Sequence, residues 1–243
     1  MIPRLAQEYR VLAPDLRGWG WSEAPPGDYA KATLAADMLA LVDAEGFDQV
    51  ELIGHDWGGY AGFLLALEHP ERVQRLVALD IPPPWSGPPR LRQLALPLLL
   101  SYQLALATHG LGTSLMTRSN AFVRAVIRGA SGRRRKWIDA ELDAYADVLR
   151  NPARARASSA CYRTFLTREL PAAIAGTHRY RPRDLNVPAL LVMGSASPLH
   201  KVLDPQPSAN LRVEVIAGAG HFLPEEAPGE VLDLALRFLQ SGA

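Results

Sequence analysis

The segment VELIGHDWGGYAGFLLALEHPERV, Val50 to Val73, constrains the fold of this chain more than any other. It begins with a short apolar run typical of a buried β-strand, and an apolar stretch with helical spacing follows after a few residues. Gly54, Gly58 and Gly59 leave little side-chain bulk between the two, so a strand and a helix can pass closely. The segment therefore predicts a strand, a sharp turn that carries Asp56, and a helix.

Strand signals alternate with helical spacing over much of the chain. Five short apolar runs, each ended by Gly, Pro or Asp, are predicted as strands: YRVLAP near Val11, QVELIG near Leu52, RLVALD near Val77, ALLVMG near Leu191 and RVEVIAG near Val215. Helical spacing occupies Tyr29 to Glu45 and Gly59 to His69, between the first three runs. This alternation predicts an α/β fold with a mostly parallel sheet covered by helices on both faces.

The pattern changes after Asp80, where the proline-rich stretch IPPPWSGPP follows the third predicted strand. From Leu91 to about Leu170 the spacing is helical and contains no strand signal. We therefore predict a core formed by residues 1–84 and 186–243, interrupted by an all-helical cap at residues 85–185.

Composition excludes several classes of function. With 243 residues, 48% of them hydrophobic, the chain can bury a large core, and its net charge of +1 gives no reason to expect nucleic acid or an anionic membrane as a partner. Its single cysteine, Cys161, excludes an internal disulfide, and no signal-peptide pattern follows Met1, so we expect a cytoplasmic protein. No residue cluster has metal-ligand spacing and no phosphate-binding glycine loop is found, so neither a metal nor an organic cofactor is predicted.

Asp56 is the first candidate catalytic residue. A turn between a strand and a helix lifts its side chain above the carboxyl edge of the sheet, and the helix N-terminus favours an anion there. A carboxylate in that position can act as a nucleophile towards carbon. The alternative is that Asp56 only caps the helix that begins near Gly58.

The motif GHDWGG, together with APDLRGWGWSEAP at Ala13 to Pro25, resembles the α/β-hydrolase superfamily. Its epoxide hydrolase and haloalkane dehalogenase branches are the most similar, because they place Asp rather than Ser on this turn. The resemblance extends from Met1 to the C-terminus. It implies an α/β-hydrolase fold and a covalent mechanism in which Asp56 forms an alkyl ester.

The same resemblance implies a base in the segment IAGAGHFLPEEAP. His221 occupies the family position of the histidine that activates water to hydrolyse the ester. The alternative is an exposed histidine that only precedes a helix. His55, next to the predicted nucleophile, is typical of structural packing.

The acid that orients this histidine departs from the family pattern. Most relatives carry Asp shortly after the strand LLVMG, but here the loop reads GSASPLH, with Ser197 at that position. Asp80 matches an alternative acid position used by some dehalogenases, and we assign the acid to it. The alternative is that Asp80 only caps the proline-rich exit, with Asp204 as a weaker candidate for the acid.

Two tyrosines favour an epoxide as the substrate. Opening an epoxide leaves an alkoxide, which requires a proton donor, and phenols remain protonated near neutral pH. Tyr102 and Tyr162 lie in the predicted cap at spacings from Asp56 that resemble those of epoxide hydrolases, whereas Tyr145 and Tyr180 do not. The alternative is that both tyrosines belong to the core of the cap.

A haloalkane dehalogenase is the alternative enzyme. The indole N–H of Trp57 can donate to a leaving halide, and Asp80 is at a dehalogenase-like position, although Trp57 also occurs in epoxide hydrolases. Trp57, Trp19 and Phe222 are predicted to line the pocket, with the core as the alternative for the last two. In either enzyme the partners are a small apolar epoxide or haloalkane and water.

The resemblance also predicts segments that precede this sequence. Relatives begin with further strands, and a His-Gly loop among them gives a second backbone donor to the oxyanion hole, whereas no such loop precedes VLAPDLRG. We expect the first strands of the usual fold to be absent, and codons upstream of Met1 to encode them. The remaining hypothesis is a truncated, catalytically weak or inactive homologue retained for binding.

Overall fold

A parallel sheet lies at the centre of the computed structural model, which describes residues 1–86, 96–177, 179–202 and 205–241. Within these residues the sheet has four strands in sequential order: β1 (Val50–His55), β2 (Val73–Leu79), β3 (Ala189–Gly194) and β4 (Leu211–Ile216). Register pairs His55 with Leu79, Leu79 with Val192, and Gly194 with Ile216. The carboxyl ends of the strands therefore meet at one edge, where the loops that follow them lie close together.

Helices account for most of the remaining regular structure. Those of the core are α1 (Ile2–Leu5), α2 (Lys31–Ala44), α3 (Trp57–Glu68), α10 (Pro198–Val202), α11 (Leu223–Glu226) and α12 (Pro228–Gln240). Those between β2 and β3 are α4 (Leu96–Ala107), α5 (Leu111–Arg118), α6 (Ala121–Ala130), α7 (Asp139–Leu149), α8 (Pro152–Thr164) and α9 (Leu170–Ala175), with a π-helical turn at Phe165–Glu169. In the described part of the chain, no helix is long and apolar enough to cross a bilayer.

Helices cover both faces of the sheet, as predicted. In β2, Leu76 and Ala78 belong to the buried cluster that includes Phe63 of α3. Val77 and Leu79 belong to a second cluster with α12 on the opposite face. β3, inside the sheet, is buried on both faces and is apolar along its whole length, and each of its large aliphatic side chains contributes roughly 1.5–3 kcal/mol.

The strand predicted near Val11 is wrong. Residues 10–16 have no regular secondary structure, and Leu12 is 43% exposed. A strand forms only where its N–H and C=O groups find a ladder partner, and no described strand lies beside this segment. The described residues also contain no strand before β1, which therefore forms one edge of their sheet.

The helices between β2 and β3 form a separate layer with its own apolar core. Leu106, Met116, Ile127 and Leu142 are buried together in it. The described residues of this stretch contain no strand, as the sequence predicts. Residues 87–95, near its start, lie outside the description, and the division at residues 85 and 185 remains a prediction.

The turn between β1 and α3 depends on the absence of a side chain at Gly54. A Cβ atom placed on Gly54 lies 2.6 Å from the carbonyl carbon of Gly58 and 2.7 Å from the nitrogen of Gly59. Both are backbone atoms, so the strand and helix would have to separate. A Cβ atom on Gly58 meets nothing within 4 Å.

We predict that Gly54→Ala lowers the free energy of unfolding by about 1–3 kcal/mol, as overpacking does in well-packed cores. Gly58→Ala is the matched control in the same turn, and we expect no loss, since Ala suits a helix better than Gly. Urea denaturation followed by circular dichroism measures both changes. Equal stability of the two variants would contradict the close approach at Gly54.

Candidate active site

Asp56 lies at the tip of the turn in a strained backbone conformation. Its φ of 48° and ψ of −124° are outside the regions that residues with a side chain usually adopt. The strain is held by backbone hydrogen bonds: Asp56 N–H donates to Leu79 O at 3.1 Å, and Tyr60 N–H donates to Asp56 O at 2.9 Å. The Asp56 carboxylate makes no capping hydrogen bond to α3, which argues against a purely capping role.

The loop after β4 brings His221 to Asp56. Nε2 of His221 lies 3.7 Å from Oδ2 of Asp56. On the other side of the ring, Nδ1 donates to Oδ2 of Asp80 at 2.7 Å. The imidazole thus lies between two carboxylates that follow adjacent strands, β1 and β2.

Asp80 is completely buried, and its carboxylate oxygens accept three hydrogen bonds. Oδ1 accepts from Gly194 N–H at 3.0 Å, and Oδ2 accepts from the Ser197 hydroxyl at 2.6 Å as well as from His221. Ser197, at the family position of the acid, therefore serves as a donor to the acid that follows the neighbouring strand. Asp204, the weaker candidate, lies outside the described residues.

The two carboxylates strongly favour the protonated imidazole. Burial opposes the charged form of His221. Hydrogen bonding to Asp56 and Asp80, together with the negative charges of both, outweighs burial and raises the pKa of His221 to about 10. Burial would raise the pKa of Asp56, yet the hydrogen bond and charge of His221 lower it below its usual value. At neutral pH both shifts favour a pair made of a carboxylate and an imidazolium.

His55 supports His221 from behind. Its Nε2–H donates to the backbone oxygen of His221 at 2.8 Å, and the ring centroids are 4.6 Å apart. Burial, and next the charge of His221, lower the pKa of His55, so it is a neutral donor at neutral pH. This position agrees with the predicted packing role.

A cavity of about 120 Å³ lies between the turn and the helices after β2. Proline, isoleucine, leucine, phenylalanine and alanine side chains form more than half of its wall. The polar or amphipathic residues that line it are Asp56, Trp57, Tyr60, Ser86, Tyr102, Gln103, Glu169 and His221. The cavity suits a small, mostly apolar molecule that presents one polar atom to these groups.

The two predicted tyrosines lie next to each other. Tyr102 lines the cavity, and Tyr162 lies behind it, with ring centroids 6.0 Å apart in an edge-to-face arrangement. Burial, and next the charge of Asp56, raise the pKa of Tyr102 to about 12. Burial raises the pKa of Tyr162 well above its usual value. Both phenols therefore keep their protons, and Tyr102 is the one positioned at the cavity.

Of the three aromatic residues predicted for the pocket, only Trp57 is part of the described lining. Trp19 packs behind it against buried residues that include Leu34. Phe222 packs against Trp137 and the face of His221, with centroids 5.7 and 5.1 Å apart. These two rings therefore stabilise the surroundings of the site, as the core alternative expects.

Sequence reasoning missed three polar residues near the cavity. Gln103 donates to the Tyr102 hydroxyl at 3.3 Å, and Glu169 pairs with the buried ammonium of Lys31 at 3.0 Å. None belongs to a recognised motif, although Gln103 adjoins a predicted catalytic tyrosine. Within the described ranges, no group of three His, Cys, Asp or Glu side chains is arranged to hold a metal ion.

Comparisons with known proteins identify the family of the chain. A family model of the alpha/beta hydrolase fold matches residues 1–228. The soluble epoxide hydrolase of Corynebacterium sp. (strain C12) is 30% identical over 250 residues, which cover 98% of this chain and 83% of that protein. The fluoroacetate dehalogenase of Burkholderia sp is 30% identical over 251 residues, covering 98% and 81%.

Solved structures give the same assignment. The epoxide hydrolase CorEH superimposes with a TM-score of 0.80 at 28% identity, covering 98% of this chain and 84% of that one. The family match spans both the sheet and the intervening helices, and the similar proteins are enzymes. The chain is therefore an enzyme that belongs to the α/β-hydrolase family, in its epoxide hydrolase-like branch.

Proposed function

We propose that this enzyme hydrolyses small epoxides through a covalent ester on Asp56. The observation that carries the proposal is the position of His221, 2.7 Å from Asp80 and 3.7 Å from Asp56, beside a cavity whose wall includes the Tyr102 phenol. Nucleophile, base and proton donor thus line one mostly apolar cavity, and the acid is buried behind the base. The similarity to a soluble epoxide hydrolase over 98% of the chain supports the same substrate class.

In the first half-reaction, a carboxylate oxygen of Asp56 forms a bond to an epoxide carbon. The bond between that carbon and the ring oxygen breaks, and its electron pair goes to the oxygen. The Tyr102 phenol, supported by Tyr162, gives this oxygen its proton. The raised pKa values of both phenols keep the proton in place until the alkoxide develops.

The ester then changes the electrostatics around His221. Asp56 no longer carries a charge, so the hydrogen bond and charge that raise the pKa of His221 are lost, and the imidazolium returns a proton to the tyrosinate. The neutral Nε2 next removes a proton from water, which attacks the ester carbonyl. Asp80 stabilises the imidazolium that forms.

Release of the diol restores the starting state. The tetrahedral intermediate breaks its bond to the diol oxygen, which takes the proton of the acid group formed on Asp56. The Trp57 backbone N–H, first in α3, is the proposed donor to the oxyanion of this intermediate. One epoxide and one water give one diol, with Asp56 ionised and His221 protonated again.

Dehalogenation is the second candidate function, because one observation favours it. Trp57 lines the cavity, and its buried indole nitrogen has no hydrogen-bond partner among the described residues. A free N–H at this position can stabilise a leaving halide, and a fluoroacetate dehalogenase is as similar in sequence as the epoxide hydrolase. The ester on Asp56 and its hydrolysis are common to both reactions.

A single turnover in heavy-oxygen water tests the covalent step. With enzyme in excess over styrene oxide, we expect the label in the Asp56 carboxylate and an unlabelled diol, because water attacks the ester carbonyl. Mass spectrometry of the peptide that contains Asp56 measures the incorporation. His221→Gln should accumulate the unlabelled ester, whereas label confined to the diol would show direct attack by water and contradict the nucleophile.

Tyrosine variants separate the two candidate functions. Tyr102→Phe should slow epoxide opening by about 10²-fold or more, since general acid catalysis contributes 10²–10⁴-fold. Tyr145→Phe is the matched control, because its partly exposed phenol bonds to Glu225 outside the cavity, and its rate should stay within about twofold. If Tyr102→Phe keeps its epoxide rate and the protein releases halide from bromoalkanes, dehalogenation replaces epoxide hydrolysis.

A further inference from the structure

Lys31 is completely buried at the first position of α2. A cation is unfavourable both in an apolar interior and at a helix N-terminus, where the dipole is positive. Specific partners must therefore hold it there. Its Nζ lies 3.0 Å from Oε2 of Glu169 and donates to the backbone oxygen of Cys161 at 3.2 Å, while its backbone N–H donates to Oε1 of Glu169 at 3.0 Å.

All of these partners come from the helices that follow β2, whereas the ammonium faces the catalytic turn. Nζ of Lys31 lies 4.0 Å from the centroid of the Trp57 ring and 5.2 Å from that of Phe165. The π-helical turn at Phe165–Glu169 brings both Phe165 and Glu169 to the cavity wall. Lys31 thus links the cap helices to the residue that directly follows Asp56.

Trp57 is the residue on which this arrangement acts. Its ring packs on Phe165 and Tyr162, with centroids 5.1 and 6.0 Å apart, and its indole nitrogen is buried without a partner in the described part of the chain. An orphaned buried donor in a cavity wall is costly unless a ligand uses it. The cation over the ring restricts the orientation of the indole, and with it the direction of this N–H.

We propose that Lys31 is a positioning residue of the active site, which fixes the Trp57 indole so that its N–H remains available to the polar atom of the substrate. The expected effect of Lys31 on catalysis rests on the proposed function. The charge of Lys31 is also among the groups that lower the pKa of Asp56, after the hydrogen bond and charge of His221. The competing explanation is that Lys31 only neutralises the buried carboxylate of Glu169.

Two variants distinguish these explanations. Lys31→Met keeps the length of the side chain but leaves Glu169 without its cation, so we expect a lower melting temperature. Lys31→Met combined with Glu169→Gln removes both charges and should restore most of the thermal stability. In the double variant we still expect kcat/KM for the epoxide to be about tenfold below the wild-type value, because Trp57 has lost the cation on its ring.

The NMR signal of the Trp57 indole measures the position of this side chain, and a change in protein stability alone does not alter it. In protein labelled with ¹⁵N-tryptophan, the Trp57 indole signal is identified by its loss in Trp57→Phe. We expect the double variant to shift this signal and to exchange its proton with solvent about tenfold faster or more, while the signals of Trp85 and Trp137 stay unchanged.

The proposal would be overturned if the double variant showed an unchanged Trp57 signal and a kcat/KM within about twofold of the wild-type value. Neutralisation of Glu169 would then remain as the role of Lys31. A shifted signal with wild-type kcat/KM would overturn the catalytic part of it. If the wild-type protein opens no epoxide, the proposed function fails on its own, and the indole signal still decides whether Lys31 positions Trp57.

Discussion

The buried hydrogen bond between His221 and Asp80 is the interaction on which the remainder of the site depends. A carboxylate with no exposed surface is tolerated only if its oxygens are satisfied, and Asp80 accepts from the Gly194 backbone, the Ser197 hydroxyl and His221. These donors follow or end β3 and β4, so the strands must finish in register for the acid to be held. The sheet edge thereby fixes the orientation of the imidazole relative to Asp56.

Strain is concentrated at the same edge. Asp56 and Asp80 have φ angles of 48° and 46°, and they are the only described residues other than glycine with positive φ. Each backbone N–H is held by the next strand, through Leu79 O at 3.1 Å and Val192 O at 2.8 Å. Two carboxylates in adjacent strained turns are thus directed to one imidazole, whose pKa they raise to about 10.

Local patterns predicted the parts of the site that a single segment determines. Gly54 and Asp56 belong to one strand, turn and helix, and Asp80 follows the next strand, so its proximity to His221 could be expected from the parallel sheet. The segment near Val11 has strand-like composition, but a strand also requires a partner, which composition does not reveal.

Sequence patterns did not predict the contacts between distant segments of the chain. Lys31 meets Glu169 only because the first residue of α2 lies against the helices that follow β2, and neither residue belongs to a motif. Phe222 was predicted to line the pocket, with the core as the alternative, and its ring packs on Trp137 instead. Tertiary packing, not local spacing, determines which side chains reach the cavity.

The rate of ester hydrolysis in Asp80→Asn, compared with Ser197→Ala, tests the central claim most directly. Rapid quench of the ester formed on Asp56 separates its formation from its hydrolysis. We expect Asp80→Asn to slow hydrolysis by up to about 10⁴-fold, because the imidazolium loses its carboxylate, whereas Ser197→Ala loses one donor and should slow it about tenfold. Wild-type hydrolysis in Asp80→Asn, together with faster hydrolysis in Ser197→Asp, would contradict it.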